Sequence, residues 1–117
     1  MKQIILPKPP SVNHLYGITC RSGYARKYVT NKGNAWFEEA GLLLRSQYKK
    51  KHIKDKNISL YIKYYTIRGD IDNSLKALLD LLQKTETIKD DKQVMFLQIE
   101  KIIVHKRKLE GVEIEII

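Results

Sequence analysis

Between Ile58 and Lys84 the apolar pattern changes period once, and this change constrains the fold more than any other stretch of the chain. Ile58, Leu60, Ile62, Tyr64 and Thr66 alternate with Ser59, Tyr61, Lys63 and Tyr65, the period of a strand with one buried face. Leu75, Leu78, Leu79 and Leu82 then fall at i, i+3, i+4 and i+7, the stripe of an amphipathic helix expected from about Asp72 to Lys84. The strand hands over to the helix through Arg68-Gly69-Asp70, so whatever those residues carry is set at the end of a sheet.

The remaining elements follow from weaker signals. Gln3 to Leu6 reads as a short strand stopped by Pro7, Pro9 and Pro10, with Ser11 to Asn13 continuing as loop. From Leu15 to Val29, tyrosines and basic residues mix with Gly17 and Gly23, which suits a loose hairpin or a mobile basic loop. A helix is expected to begin between Thr30 and Asn34. Glu38 and Glu39 sit early in it and Lys49, Lys50 and Lys51 late, while Trp36, Phe37, Ala40, Leu43, Leu44 and Tyr48 form its packing face. Val94 to His105 and Val112 to Ile116 read as two final strands, with Gly111 marking a hairpin between them. The element order implies one α+β domain over residues 1–117, a mixed sheet of four to five strands covered by two helices.

Composition narrows the chemistry. Among 117 residues, 22 Lys and Arg against 13 Asp and Glu give a net charge of +9, an excess that attracts polyanions, nucleic acid first among them. Cys20 is the single cysteine, so a paired-cysteine zinc site is excluded and an inert loop thiol is expected. His14, His52 and His105 have no metal-ligand spacing. No apolar run approaches the roughly 20 residues of a membrane span, and Met1 to Pro7 lacks a secretory pattern; a soluble cytoplasmic protein is expected.

Against that basic background the carboxylates stand out. In extended chain Asp70 and Asp72 point the same way, with Cα atoms roughly 7 Å apart, and such a pair can share a hard cation such as Mg. Asp90 or Asp91 would add a third ligand if its turn folds back beside the strand end. The alternative is structural: Asp72 caps the second helix and Asp90-Asp91 is a solvated turn. Lys76 is open in the same way, either an i,i+4 partner of Asp72 and Asp80 or a cation placed near a scissile phosphate. Asp80 fits the ion-pair account.

The string Asp70-Ile71-Asp72-Asn73-Ser74-Leu75-Lys76-Ala77-Leu78-Leu79-Asp80, followed by Asp90-Asp91, resembles the DxDNxxKxxxD and DD signature of the RusA family of Holliday junction resolvases. Leu6-Pro7-Lys8-Pro9-Pro10-Ser11-Val12-Asn13 is similar to that family's LPxPPSxN motif, and together the two cover nearly the whole chain. The resemblance implies a homodimeric, Mg-dependent endonuclease, with Mn as a possible substitute, that nicks two opposed strands of branched DNA; phages and prophages often encode such enzymes. It assigns Asp70, Asp72 and Asp91 as metal-binding catalytic residues, Lys76 as the catalytic lysine, and Asn73 with Asp90 as supporting residues. Gly69 departs from the family, in which the residue before the first Asp is often basic. Arg21, Arg26, Lys27, Lys32, Lys106, Arg107 and Lys108 are candidates for phosphate contacts. Two rivals remain at this point: a non-catalytic basic nucleic-acid-binding module, and a metal-dependent nuclease of RNA or duplex ends.

Overall fold

A computed structural model of the chain describes residues 3–21, 23–48 and 56–117, with the side chains of all but residues 12, 13, 21 and 73 among them. The chain runs β1 (Ile4–Leu6), α1 (Val12–Leu15), β2 (Tyr16–Arg21), β3 (Tyr24–Val29), α2 (Asn31–Gln47), β4 (Ile58–Thr66), α3 (Ile71–Lys84), β5 (Val94–Ile103) and β6 (Gly111–Ile116). Short 3-10 turns at Asp91–Gln93 and Arg107–Leu109 flank β5. The four-stranded sheet has the order β1-β6-β4-β5, and β2 pairs with β3 as a separate hairpin. The mixed sheet under two helices is as the sequence indicates.

The period change survives intact. Ile58, Leu60, Ile62 and Tyr64 share one core with Ala77, Leu78, Leu81 and Leu82 of α3 and Trp36, Phe37, Ala40 and Leu44 of α2, and Thr66 is buried at the strand's end. On the opposite face, Tyr61, Lys63, Gln98, Glu113 and Glu115 line an open surface of the sheet. Thr30 caps α2 through its hydroxyl, which accepts from the Gly33 amide at 3.0 Å, so the expected start holds. Lys49, Lys50 and Lys51, expected in that helix's last turn, lie outside the described residues.

Three expectations are corrected. Ser11 to Asn13 is no plain loop. The Ser11 carbonyl accepts from the amides of His14 at 2.9 Å and Leu15 at 2.8 Å, which makes one helical turn of Val12–Leu15. Cys20 lies exposed on β2 rather than in the expected loop, and of the two alternatives for Leu15 to Val29 the hairpin holds, with β2 antiparallel to β3. The last two strands, finally, are not hairpin partners. β5 runs parallel to β4, joined through α3 as a βαβ crossover, whereas β6 lies antiparallel on the other side of β4. The connection bearing Lys106, Arg107 and Lys108 therefore crosses over the C-terminal end of β4. Periodicity identifies strands but not their neighbours, and β4 offers two open edges.

Both outer edges of the sheet are strands, treated differently. Gln47 of α2 covers the edge of β1, its amide oxygen accepting from the Ile5 amide at 2.7 Å and its nitrogen donating to the Ile5 carbonyl at 2.8 Å. β5 has no such cover among the described residues, and its Met95, Phe96 and Ile103 are 69%, 49% and 55% exposed.

Candidate active site

The segment from Thr66 to Asp70 leaves the sheet at the C-terminal end of β4, where open α/β sheets hold their ligands. Side chains from three other places pin its backbone. Glu110 accepts from the Ile67 amide at 3.0 Å and pairs with Lys8 at 2.7 Å. Lys8 also donates to the Arg68 carbonyl at 3.0 Å, and Lys101 of β5 donates to the Gly69 carbonyl at 3.3 Å. The Thr66 hydroxyl donates to the Arg68 carbonyl. The Lys8 ammonium, and after it the Ile67 amide, hold the Glu110 carboxyl below the usual glutamate range. None of Lys8, Thr66, Lys101 or Glu110 is marked as functional by sequence pattern. Glu110 carries one faint signal, an acid two residues after the basic run Lys106 to Lys108.

Gly69 is explained by its neighbours. A Cβ there would run into the hydroxyl of Tyr64, a buried core residue, and close on the Thr66 hydroxyl. The core thus occupies the space that a basic side chain at this position would need.

Asp70 stands at the N-cap of α3 in extended backbone, φ −97° and ψ 139°, and makes no side-chain cap bond. Asp72 lies inside the first turn, so it is not the cap. The two carboxylates also depart from the extended i,i+2 arrangement, because the chain turns helical at Ile71. Both are exposed, and neither has a side-chain hydrogen bond or ion pair among the described residues. The i,i+4 pairs expected of Lys76 are likewise unmade: Lys8–Glu110 is the one ion pair among the described residues. The side chain of Asn73 lies outside the described residues.

Asp90 and Asp91 divide their labour. Asp90 caps the 3-10 turn, accepting from the Lys92 amide at 2.9 Å, while the Gln93 amide oxygen accepts from the Lys89 amide at 2.7 Å and the Asp90 amide at 3.2 Å. The Lys92 amide, followed by the hydrogen bond with Asp91, lowers the Asp90 carboxyl below its ordinary range. The Asp91 carboxyl is raised, first by that shared hydrogen bond, then by slight burial and the charges of Asp90 and Asp80. It is exposed, with the Asp90 and Asp80 carboxylates opposing its charge and Lys92 favouring it.

Within one chain these acids do not converge. β4 and β5 are parallel with Ile58 beside Val94 and Thr66 beside Ile103, so Asp70 follows one end of the strand pair and Asp91 precedes the other. The 14 residues of α3 lie between them, about 20 Å of helix. Accordingly, no group of three or more His, Cys, Asp or Glu among the described residues is placed to hold a metal ion together.

Over the middle of α3 lies the hairpin. The Tyr16 hydroxyl donates to Asp80, and burial first, that hydrogen bond second, push the phenol well above its ordinary range. Lys27 stands over the Tyr16 ring at 4.0 Å and Lys76 at 5.5 Å. Strand alternation puts Lys27 on this face and Arg26 on the opposite one, so the structure does not bring these two candidates together. Lys32, Lys106, Arg107 and Lys108 are exposed, Lys32 at the start of α2 and the other three at the C-terminal end of β4; the side chain of Arg21 lies outside the described residues.

A family model described as Endodeoxyribonuclease RusA matches residues 7–117. No curated protein matches the chain.

Proposed function

The chain belongs to the RusA endodeoxyribonuclease family, and from that membership we propose that it is a Mg-dependent, structure-selective endonuclease resolving Holliday junctions by paired nicks on opposed strands, as a homodimer, in DNA recombination and repair. The observation that carries this reading is the pair Asp70 and Asp72: two exposed carboxylates with no side-chain partner among the described residues, the first at the end and the second just beyond a segment whose backbone is pinned from three sides.

The donor chemistry suits the ion. Mg takes hard oxygens, keeps several waters and is completed by substrate phosphate, so a preformed all-protein cage is not required. Asp70, Asp72 and Asp91 would hold it, with Mn as a substitute. When bound, it supplies an acidified water and neutralises charge on the phosphate. Lys76, with no ion pair among the described residues, would offset negative charge developing on the scissile group. Asn73 supports the site from the first turn of α3, and Asp90 holds the turn that presents Asp91. The hairpin and the connection at the end of β4 supply basic residues for phosphates on either side.

Two features support the dimer. A junction offers two equivalent phosphates, and each chain carries one set of acids. The uncovered, apolar edge of β5 suits a second copy of itself: antiparallel pairing about a two-fold axis would set the N-terminal end of one β5 beside the C-terminal end of the other. Asp91 of one protomer would then approach Asp70 and Asp72 of its partner, completing a set that a single chain leaves apart. The deciding experiment incubates the purified protein with a labelled four-way junction, with and without Mg, beside duplex and RNA competitors. Paired, Mg-dependent nicks in the junction are expected. An intact junction, or equal cutting of simple duplex or RNA, refutes the reading.

A further inference from the structure

We propose that Lys27 of the hairpin and Lys76 of α3 form a two-ammonium clamp for a single phosphodiester group, with the Tyr16 ring as its floor, and that Lys27 is thus a substrate-binding residue of this enzyme. The proposal rests on the nuclease reading and extends it to an element outside the acidic motif.

The geometry carries it. Two ammonium groups from segments far apart in sequence stand over one aromatic ring, at 4.0 and 5.5 Å from its centroid. Both lysines are exposed, and neither has a carboxylate within ion-pair distance among the described residues. Asp80, an acid that acts on Lys27, is engaged by the Tyr16 hydroxyl and fixes the ring in place. Like charges gathered this closely oppose each other unless an anion lies between them. The Lys27 ammonium shows that conflict: its interaction with Lys76 is the first cause holding it below the usual lysine range. A phosphodiester, whose single negative charge is shared by two non-bridging oxygens, offers an acceptor to each of two point-like ammonium donors. The arrangement also explains why a hairpin exposed over most of its length is tied to α3 at Tyr16. The tie sets Lys27 beside the helix that carries Asp72 and Lys76, one turn apart.

Two measurements test the clamp independently. Inorganic phosphate titrated into the intact protein without DNA should shift the side-chain NMR signals of Lys27 and Lys76 together and saturably. Lys27→Ala and Lys76→Ala should each abolish the response of the remaining lysine, while Lys27→Arg retains it. With junction substrate, Lys27→Ala should lower the single-turnover rate by about 100-fold. The double variant should lose little beyond Lys76→Ala alone, since groups acting on one phosphate are non-additive. Phosphate that moves Lys76 equally in the Lys27→Ala protein, or an unchanged cleavage rate in that variant, overturns the clamp. If the wild-type protein cuts no junction, the nuclease reading fails, and the phosphate titration still decides the clamp.

Discussion

Asp72 occupies the first turn of α3, where its charge gains only about 0.3 to 1 kcal/mol from the helix dipole. Asp72→Asn should therefore melt within a few degrees of wild type. As a ligand to a hard cation the same residue is hard to replace, and the variant should bind a four-way junction yet cut it orders of magnitude more slowly. Near-normal cutting would remove Asp72 from the metal set. Glu110 makes a separate prediction. Its carboxyl is depressed in the folded chain by Lys8 and the Ile67 amide, so its contribution to stability is full above the ordinary glutamate value of about 4.3 and is lost as pH falls through the lower folded value. Denaturation profiles of wild type and Glu110→Gln should be separated at neutral pH and converge in acid. A gap that persists at pH 2 would mean the carboxylate charge is not what holds the segment before Asp70.

At the scale of elements, two glycines of α2 should respond to the same substitution with opposite signs. Replacing a helical glycine by alanine ordinarily gains up to about 1 kcal/mol. At Gly41 a new Cβ meets Thr85 Cγ2 at 3.5 Å, ordinary contact, so Gly41→Ala should raise the melting temperature. At Gly33 the new atom would strike the backbone carbonyl of Leu15, which already accepts from the Thr30 amide, so Gly33→Ala should cost about 1 to 3 kcal/mol. Equal shifts in the two melting curves would contradict the close approach of α1 to α2. Such approaches mark the limit of what sequence reveals. The β4–α3 handover and the Thr30 cap are legible because period and capping are local properties. The partners of β5 and β6 are not, since strand alternation is the same whichever edge is joined. Asp70, Asp72 and Lys76 are legible as one motif on one segment. The Lys8–Glu110 strap and the meeting of Lys27 with Lys76 arise only when distant segments fold together, so local pattern can mark single residues of these pairs but not the pairing.

For the whole molecule, the sharpest test of a site shared between protomers is subunit mixing. Asp72→Asn and Asp91→Asn homodimers should each be inactive. If Asp91 serves its partner's Asp70 and Asp72, a mixed dimer of the two variants contains one intact set and should regain nicking of one strand. If every site is built within one chain, mixing restores nothing. The sheet order has one further consequence. β6 lies between β1 and β4, pairing Ile4 with Ile114 on one side and Ile62 with Ile114 on the other. As the chain is made, β1 therefore has no sheet partner until β6 emerges. During synthesis Ile4 and Leu6 remain exposed to chaperones or to other nascent chains, and the sheet closes only as a late, long-range step.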